Sequence, residues 1–274
     1  MKQTRIDFLK AIGFGVIISQ TNNSFAKSKV ENFSLKLGLA SYTLREYSLD
    51  EVIKHCKRLN INQLALKSMH LPLDSSVEFI KETVKKVRDA GITPYGVGVV
   101  YMKTEAEVSN AFAYAQAANI PTIIGVPNHE LLPFTEKKVK ETGIRLAIHN
   151  HGPGDKVYPT PDSVYEKIKD LDKNIGLCID IGHVVRLGLD PVKFINKYKN
   201  RLFDLHIKDV DKVAENGESV EIGRGVIDIT SVLKTLQKIN YQGVLGIEYE
   251  KDGKNAIFGL TESVGYLRGI LKMI

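Results

Sequence analysis

Four short runs carry residue types that could do metal or proton chemistry. Ile175–Arg186 is a mostly apolar stretch that runs into Asp180, with His183 and Arg186 directly after it. Ile144–His151 ends in His149-Asn150-His151, Leu202–Asp209 in His206-Ile207-Lys208-Asp209, and Val244–Glu250 in Glu248-Tyr249-Glu250. In each run the polar residues stand only at the C-terminal end. That is the pattern of a buried parallel strand with chemistry at one end. Buried carboxylates and imidazoles are costly unless paired or metal-bound. Four such ends therefore predict one shared site.

Asp180, His206, Glu248 and one of His149 or His151 make a mixed nitrogen and oxygen donor set. Such a set suits one divalent ion. Imidazole favours Mn, Zn or Co and leaves Mg as a weaker candidate. Residues two apart on a strand share a face, so His149 pairs with His151, His206 with Lys208 and Glu248 with Glu250. The first of each pair lies deeper, which favours His149 as the ligand. Glu248, Glu250, His151 and Lys208 are then candidates to handle protons. Lys67, His70, His183, Arg186, Arg224 and Tyr101 are candidates to hold substrate. Gly223-Arg224-Gly225 reads as a tight loop, because it lacks the length and the following lysine of a nucleotide loop.

These strand ends need a scaffold that gathers them. From Leu37 the chain alternates strand and helix. Strands are expected at 37–41, 63–67, 94–100, 121–126, 143–149, 174–181, 201–208 and 243–248. Helices are expected at 49–59, 76–90, 104–118, 131–141, 161–171, 191–198, 229–239 and 260–271. Thr104 and Glu107 form a capping box, and Gly91 is a C-terminal stop. Eight strand–helix units with apolar strands close most simply into a TIM (β/α)8 barrel, whose site lies at the C-terminal strand ends. An open doubly wound sheet would show a glycine-rich turn after its first strand, and Ser41-Tyr42-Thr43-Leu44-Arg45 has none.

The chain has 274 residues, 43% of them hydrophobic, and a net charge of +6 with both signs interspersed. No basic block marks a nucleic-acid groove. Cys56 and Cys178 read as buried thiols. Lys2, Arg5 and Lys10 precede the apolar run Ala11–Ile18, and Ala26 offers a cleavage point. This predicts an export signal over 1–26, a short extension over 27–35 and one catalytic barrel over 36–274. The apolar run is too short for stable membrane insertion. The protein is expected in the periplasm or outside the cell, and in the cytoplasm if that reading of the N-terminus fails. The sequence leaves a homo-oligomer open.

Ala147-Ile148-His149-Asn150-His151, Cys178-Ile179-Asp180-Ile181-Gly182-His183, Leu205-His206-Ile207-Lys208-Asp209 and Gly243-Val244-Leu245-Gly246-Ile247-Glu248 together resemble the xylose isomerase-like barrel superfamily. That group is often labelled sugar phosphate isomerases/epimerases. The resemblance covers roughly Leu37 to Met273. It implies a small-molecule sugar substrate and a metal held, in the epimerase branch, by Glu, Asp, His and Glu. The matching positions are His149, Asp180, His206 and Glu248, so histidine replaces the first glutamate. In that branch two glutamates trade the substrate proton, and this chain keeps only Glu248. The superfamily's endonucleases use a three-zinc cluster. His70, Asp180, His183, His206 and Glu248 match parts of it, but Gly225-Val226-Ile227-Asp228 stands where an Asp-x-His pair is wanted.

The leading expectation is a metal-dependent isomerase or epimerase. It would abstract the proton next to a sugar carbonyl and pass through an enediolate. The alternatives are a keto-glycoside or keto-sugar lyase on the same metal site and a non-catalytic periplasmic sugar-binding barrel.

Overall fold

Eight parallel strands pair edge to edge and close on themselves. The computed structural model describes residues 35–274, with the strands β1 (Lys36–Ala40), β2 (Gln63–Leu66), β3 (Thr93–Met102), β4 (Thr122–Pro127), β5 (Arg145–His149), β6 (Ile175–Asp180) and β7 (Leu202–Ile207). A two-residue strand β8 (Asp209–Val210) and its antiparallel partner β9 (Ser219–Val220) follow, and β10 (Val244–Ile247) completes the barrel. The barrel order is β1-β10-β7-β6-β5-β4-β3-β2. The protein is a TIM (β/α)8 barrel. The expected export signal over 1–26 and most of the extension lie outside the described residues.

The helices around the barrel are α1 (Leu49–Arg58), α2 (Val77–Asp89), α3 (Glu105–Ala118), α4 (Leu132–Thr142), α5 (Pro161–Ile168), α6 (Ile181–Arg186), α7 (Pro191–Tyr198), α8 (Ile229–Lys238) and α9 (Ala256–Leu271). Their ends follow local chemistry. Ser48 with Glu51 and Thr104 with Glu107 form reciprocal capping boxes on α1 and α3. Gly91 has φ of 78° just past α2, a conformation glycine adopts without strain. Among the described residues no helix is long and apolar enough to cross a membrane.

Alternation along the strands builds the barrel interior in layers. Ala147, Cys178, Asp204 and Gly246 stand two residues before His149, Asp180, His206 and Glu248. Ala147 and Cys178 are fully buried with Ala65 and Ile124, and Tyr95 packs against them. Gly246 is required there, because a Cβ would lie 2.7 Å from the Tyr95 hydroxyl. A small-residue layer filled by one tyrosine thus supports the polar layer above it.

The segment after β7 carries a ribbon that was not among the expected elements. The polar stretch to Gly225 contains the β8–β9 ribbon, and Asp209 holds it. The buried Asp209 carboxylate accepts N–H groups from Val210 (2.9 Å), Gly223 (2.9 Å), Gly225 (3.0 Å) and Ile227 (3.1 Å). Asp209→Ala leaves these donors without their acceptor. It is expected to cost about 3–5 kcal/mol, measured as a lower denaturant midpoint. An unchanged midpoint would show that this loop contributes nothing to global stability.

Candidate metal centre

The strand ends converge as the alternation requires. One donor atom each from His149, Asp180, His206 and Glu248 lies within 4.8 Å of the others, and all four residues are buried. His149 Nε2 faces His206 Nδ1 at 3.1 Å, and His206 Nδ1 lies 3.1 Å from Glu248 Oε2. Asp180 Oδ2 is 3.5 Å from His149 Nε2.

Asp180 divides its two oxygens between fold and site. Oδ1 accepts the His183 N–H at 2.9 Å and so caps α6. His183 therefore sits in the short helix α6, which was not among the expected helices. Asn150 fixes the same point from β5. Its Oδ1 accepts the Asp180 N–H at 3.0 Å, and its Nδ2 donates to the Asp180 carbonyl at 3.3 Å. Oδ2 is left buried without an aligned hydrogen bond. A buried carboxylate oxygen opposite two imidazole nitrogens, with a second carboxylate beside them, fits a divalent ion of the Mn, Co or Zn type.

Lys208 is the site's resident cation. Its ammonium lies 2.9 Å from Asp180 Oδ2, 2.9 Å from Glu248 Oε2 and 3.3 Å from Glu250 Oε1. Gly182 admits its stem, since a Cβ there would come within 2.4 Å of Lys208 Cγ. A carboxylate oxygen has two lone-pair directions, so the ammonium and an ion can share Oδ2 and Oε2. Burial opposes the charge on Lys208, but Asp180, Glu248 and Glu250 hold its pKa well above the usual lysine range. Burial likewise opposes ionisation of Asp180 and Glu248. His183 and Lys208 keep Asp180 well below the ordinary carboxylate range, and His206 and Lys208 do the same for Glu248.

The histidines divide. Burial lowers His149 and His183 to about 4. Burial would lower His206 too, but the Glu248 carboxylate raises it to about 9. His151 is lowered by burial and by His183. Its Nε2 meets the Tyr101 hydroxyl at 2.7 Å, and its ring lies 4.5 Å from that of His149. Lys67 reaches the Val99 carbonyl and stands 5.8 Å from the Tyr101 ring. Burial lowers its pKa, while Glu248 acts to raise it.

Other candidates are placed differently. His70 is buried and spends both ring nitrogens inside the fold, Nδ1 at 2.9 Å from Ser41 Oγ and Nε2 near the carbonyls of Leu44 and Tyr47. There it ties the turn after β1 to the loop after β2. Arg224, expected to hold substrate, is exposed and pairs with Glu262 on α9. Arg186 donates to the Glu215 carbonyl and lies 3.4 Å from His183 Nδ1, which steadies that ring.

Sequence reasoning missed Asn150 and Asp204. Asp204 Oδ2 lies 3.8 Å from His206 Nε2, and burial raises its pKa to about 6. The signal was available in its position two residues before His206. Cys178 also comes near His149 and His206. Burial pushes its thiol well above the ordinary range, and Sγ points at Asp204 Oδ2, so it is not a ready thiolate.

Residues 128–270, about half of the chain, match the family model described as xylose isomerase-like TIM barrel. The chain belongs to the xylose isomerase-like TIM-barrel family. Family members of several kinds share sequence with it. An inosose dehydratase of Clostridium perfringens is 35% identical over 130 residues, covering 41% of this chain and 43% of that protein. An uncharacterized protein of Methanocaldococcus jannaschii is 38% identical over 91 residues, covering 32% of this chain and 31% of that protein. The matches to these curated relatives span less than half of their length. A crystal structure of a protein from Parabacteroides distasonis superposes with a TM-score of 0.67 at 25% identity, covering 86% of this chain and 98% of that one.

Proposed function

We propose that the protein is a metal-dependent lyase on a keto-sugar or keto-polyol, which removes the proton next to the carbonyl and expels a substituent from the β carbon. The isomerase or epimerase expectation yields to its alternative for two reasons. The inosose dehydratase relatives support elimination. The second glutamate of a two-glutamate epimerisation is His149, buried among the ligands.

The observation that carries the reading is the placement of two proton-handling groups beside the ligands, His151 against His149 and Glu250 against Lys208. His151 is pushed down by burial, and its Nε2 lies 2.7 Å from the Tyr101 hydroxyl. Glu250 is pushed up by burial, against the pull of the Lys208 ammonium 3.3 Å away. The two shifts bring an imidazole and a carboxyl group toward the same range, where one can take a proton as the other gives one. His151 would take the α proton, held in place by Tyr101. Glu250 would protonate the leaving oxygen. Lys208 would stabilise negative charge as the carbon–oxygen bond breaks. The ion, held by His149, Asp180, His206 and Glu248, would polarise the carbonyl as a Lewis acid.

Residues 1–26 support export, and export favours an unphosphorylated substrate. The N–H groups of Gly223 and Gly225 are turned onto Asp209, which removes them as a phosphate cradle. Mass spectrometry of the N-terminus from the native host tests export, and an intact Met1 in the cytosol would sink it.

The reaction is tested with free ketoses and with keto-sugars bearing a β substituent, in heavy water, with metal and with chelator. Elimination predicts loss of water or aglycone and an enone chromophore, abolished by chelator. Solvent deuterium at the α carbon without loss of the substituent would replace this reading with isomerisation. Binding without exchange would reduce the protein to a sugar-binding barrel.

A further inference from the structure

The metal centre has a neighbour that the proposed reaction does not use. A cavity of about 570 Å³ opens between the ends of β2 and β3, the first half of α3 and the loop after β2. Its walls include Ser68, Pro72, Leu73, Val100, Tyr101 and Ala106. That volume is in the range of small-molecule sites, which run from about 300 to 1,000 Å³. We propose that this cavity is a second subsite, which takes an uncharged aromatic or alkyl substituent of the substrate. The identity of that group as part of the substrate rests on the elimination reading above.

Three features point this way. The cavity is preformed, because α3 pins its loop. Tyr114 donates to the Leu71 carbonyl at 2.8 Å, and Asn110 donates to the Leu73 carbonyl at 2.9 Å. Two of its polar residues are already committed. Asn110 is used as just described, and Glu107 accepts the N–H groups of Lys103 and Thr104 at the start of α3. No Lys or Arg lines it, while Asp74 and Glu107 do. A phosphate or carboxylate would find no counter-charge there, and the apolar walls Pro72, Leu73, Val100 and Ala106 favour an uncharged apolar group.

The third feature is continuity with the metal centre through one ring. The Tyr101 hydroxyl meets His151 Nε2 at 2.7 Å, and the His151 ring neighbours His149, yet the Tyr101 side chain is 49% exposed and lines the cavity. A substrate reacting at the ligands, with a substituent passing over Tyr101, would cover that ring. Aromatic pairs favour offset or edge contact there.

The test separates this subsite from the chemistry. The aryl probe 4-fluorobenzyl alcohol is titrated into the full-length protein by fluorine NMR, with and without chelator. Binding is expected in both conditions and is expected to weaken at least about tenfold in Ala106→Trp. Ala106 is an exposed helical position, so the melting temperature and metal content of this variant should match wild type. In the elimination assay, a phenyl-substituted substrate should lose its kcat/KM advantage over the methyl-substituted one in Ala106→Trp, while the methyl rate stays. No probe binding to wild type, equal binding to the variant, or no phenyl advantage would overturn the subsite. So would a change of oligomeric state in Ala106→Trp, which would assign the face to contact between copies. If neither substrate turns over, the elimination reading fails, and the probe titration alone decides the subsite.

Discussion

Asp180→Asn and His206→Ala should each strip the metal and remove turnover while the barrel stays folded. Asp180 is the more informative of the two because its oxygens have separate duties. Asn keeps an oxygen to accept the His183 N–H and is itself a good helix cap, so α6 survives. It also keeps an N–H and a carbonyl for Asn150. What it loses is the anionic Oδ2 that faces His149 and Lys208. Lys208 retains Glu248 and Glu250, so no buried charge is left unpaired. His206→Ala removes a ligand nitrogen outright and also leaves a void above Asp204. Loss of the ion should cost several kcal/mol of transition-state stabilisation, about 10³-fold or more in kcat. Metal analysis and circular dichroism of the same samples check this. Full metal stoichiometry in either variant would refute the ligand assignment. Retention of metal in His149→Ala with loss in His151→Ala would move only that one ligand.

The parts of this site legible in the sequence were those whose position follows from strand period. Apolar runs ending in Asp180, His206 and Glu248 locate strand ends, and a closed barrel forces neighbouring ends together. His70 and His151 show the limit. Both follow a strand, and nothing local separates them. Only the fold reveals that Ser41, Leu44 and Tyr47 enclose His70, while Tyr101 meets His151 at the mouth. Arg224 is the same case, because its partner Glu262 is 38 residues away. The β8–β9 ribbon was illegible for a further reason. Two-residue strands have no periodicity, and Asp209 sets their geometry by reaching 18 residues along the chain. The sequence marked Asp209 only as the end of a polar run. Helix α6 was hidden because its cap, Asp180, had already been assigned to metal, and one carboxylate serves both.

Metal binding should be strongly pH-dependent, and His206 sets the sign. Without metal its folded pKa of about 9 means it carries a proton at pH 7. An ion can bind only the neutral imidazole, so each ion must displace that proton. His149, at about 4, is already neutral above pH 5. Asp180 and Glu248 are ionised throughout. One ligand proton therefore competes with the metal. Apparent affinity should rise about tenfold per pH unit from pH 6 to 8 and level off above 9. The same proton acts on stability in the opposite direction. A pKa raised in the folded state stabilises the metal-free fold below the unfolded value near 6.5, and that contribution is lost as pH rises through 9. The chelated protein should therefore lose stability from pH 6.5 to 9, and the metal-loaded protein should not. Calorimetric titration with Zn or Mn in buffers of different ionisation enthalpy should count about one proton released per ion at pH 7. An affinity that stays flat from pH 6 to 8, with no proton released, would mean that His206 is neutral before the ion arrives and that the Glu248 contact does not hold its proton.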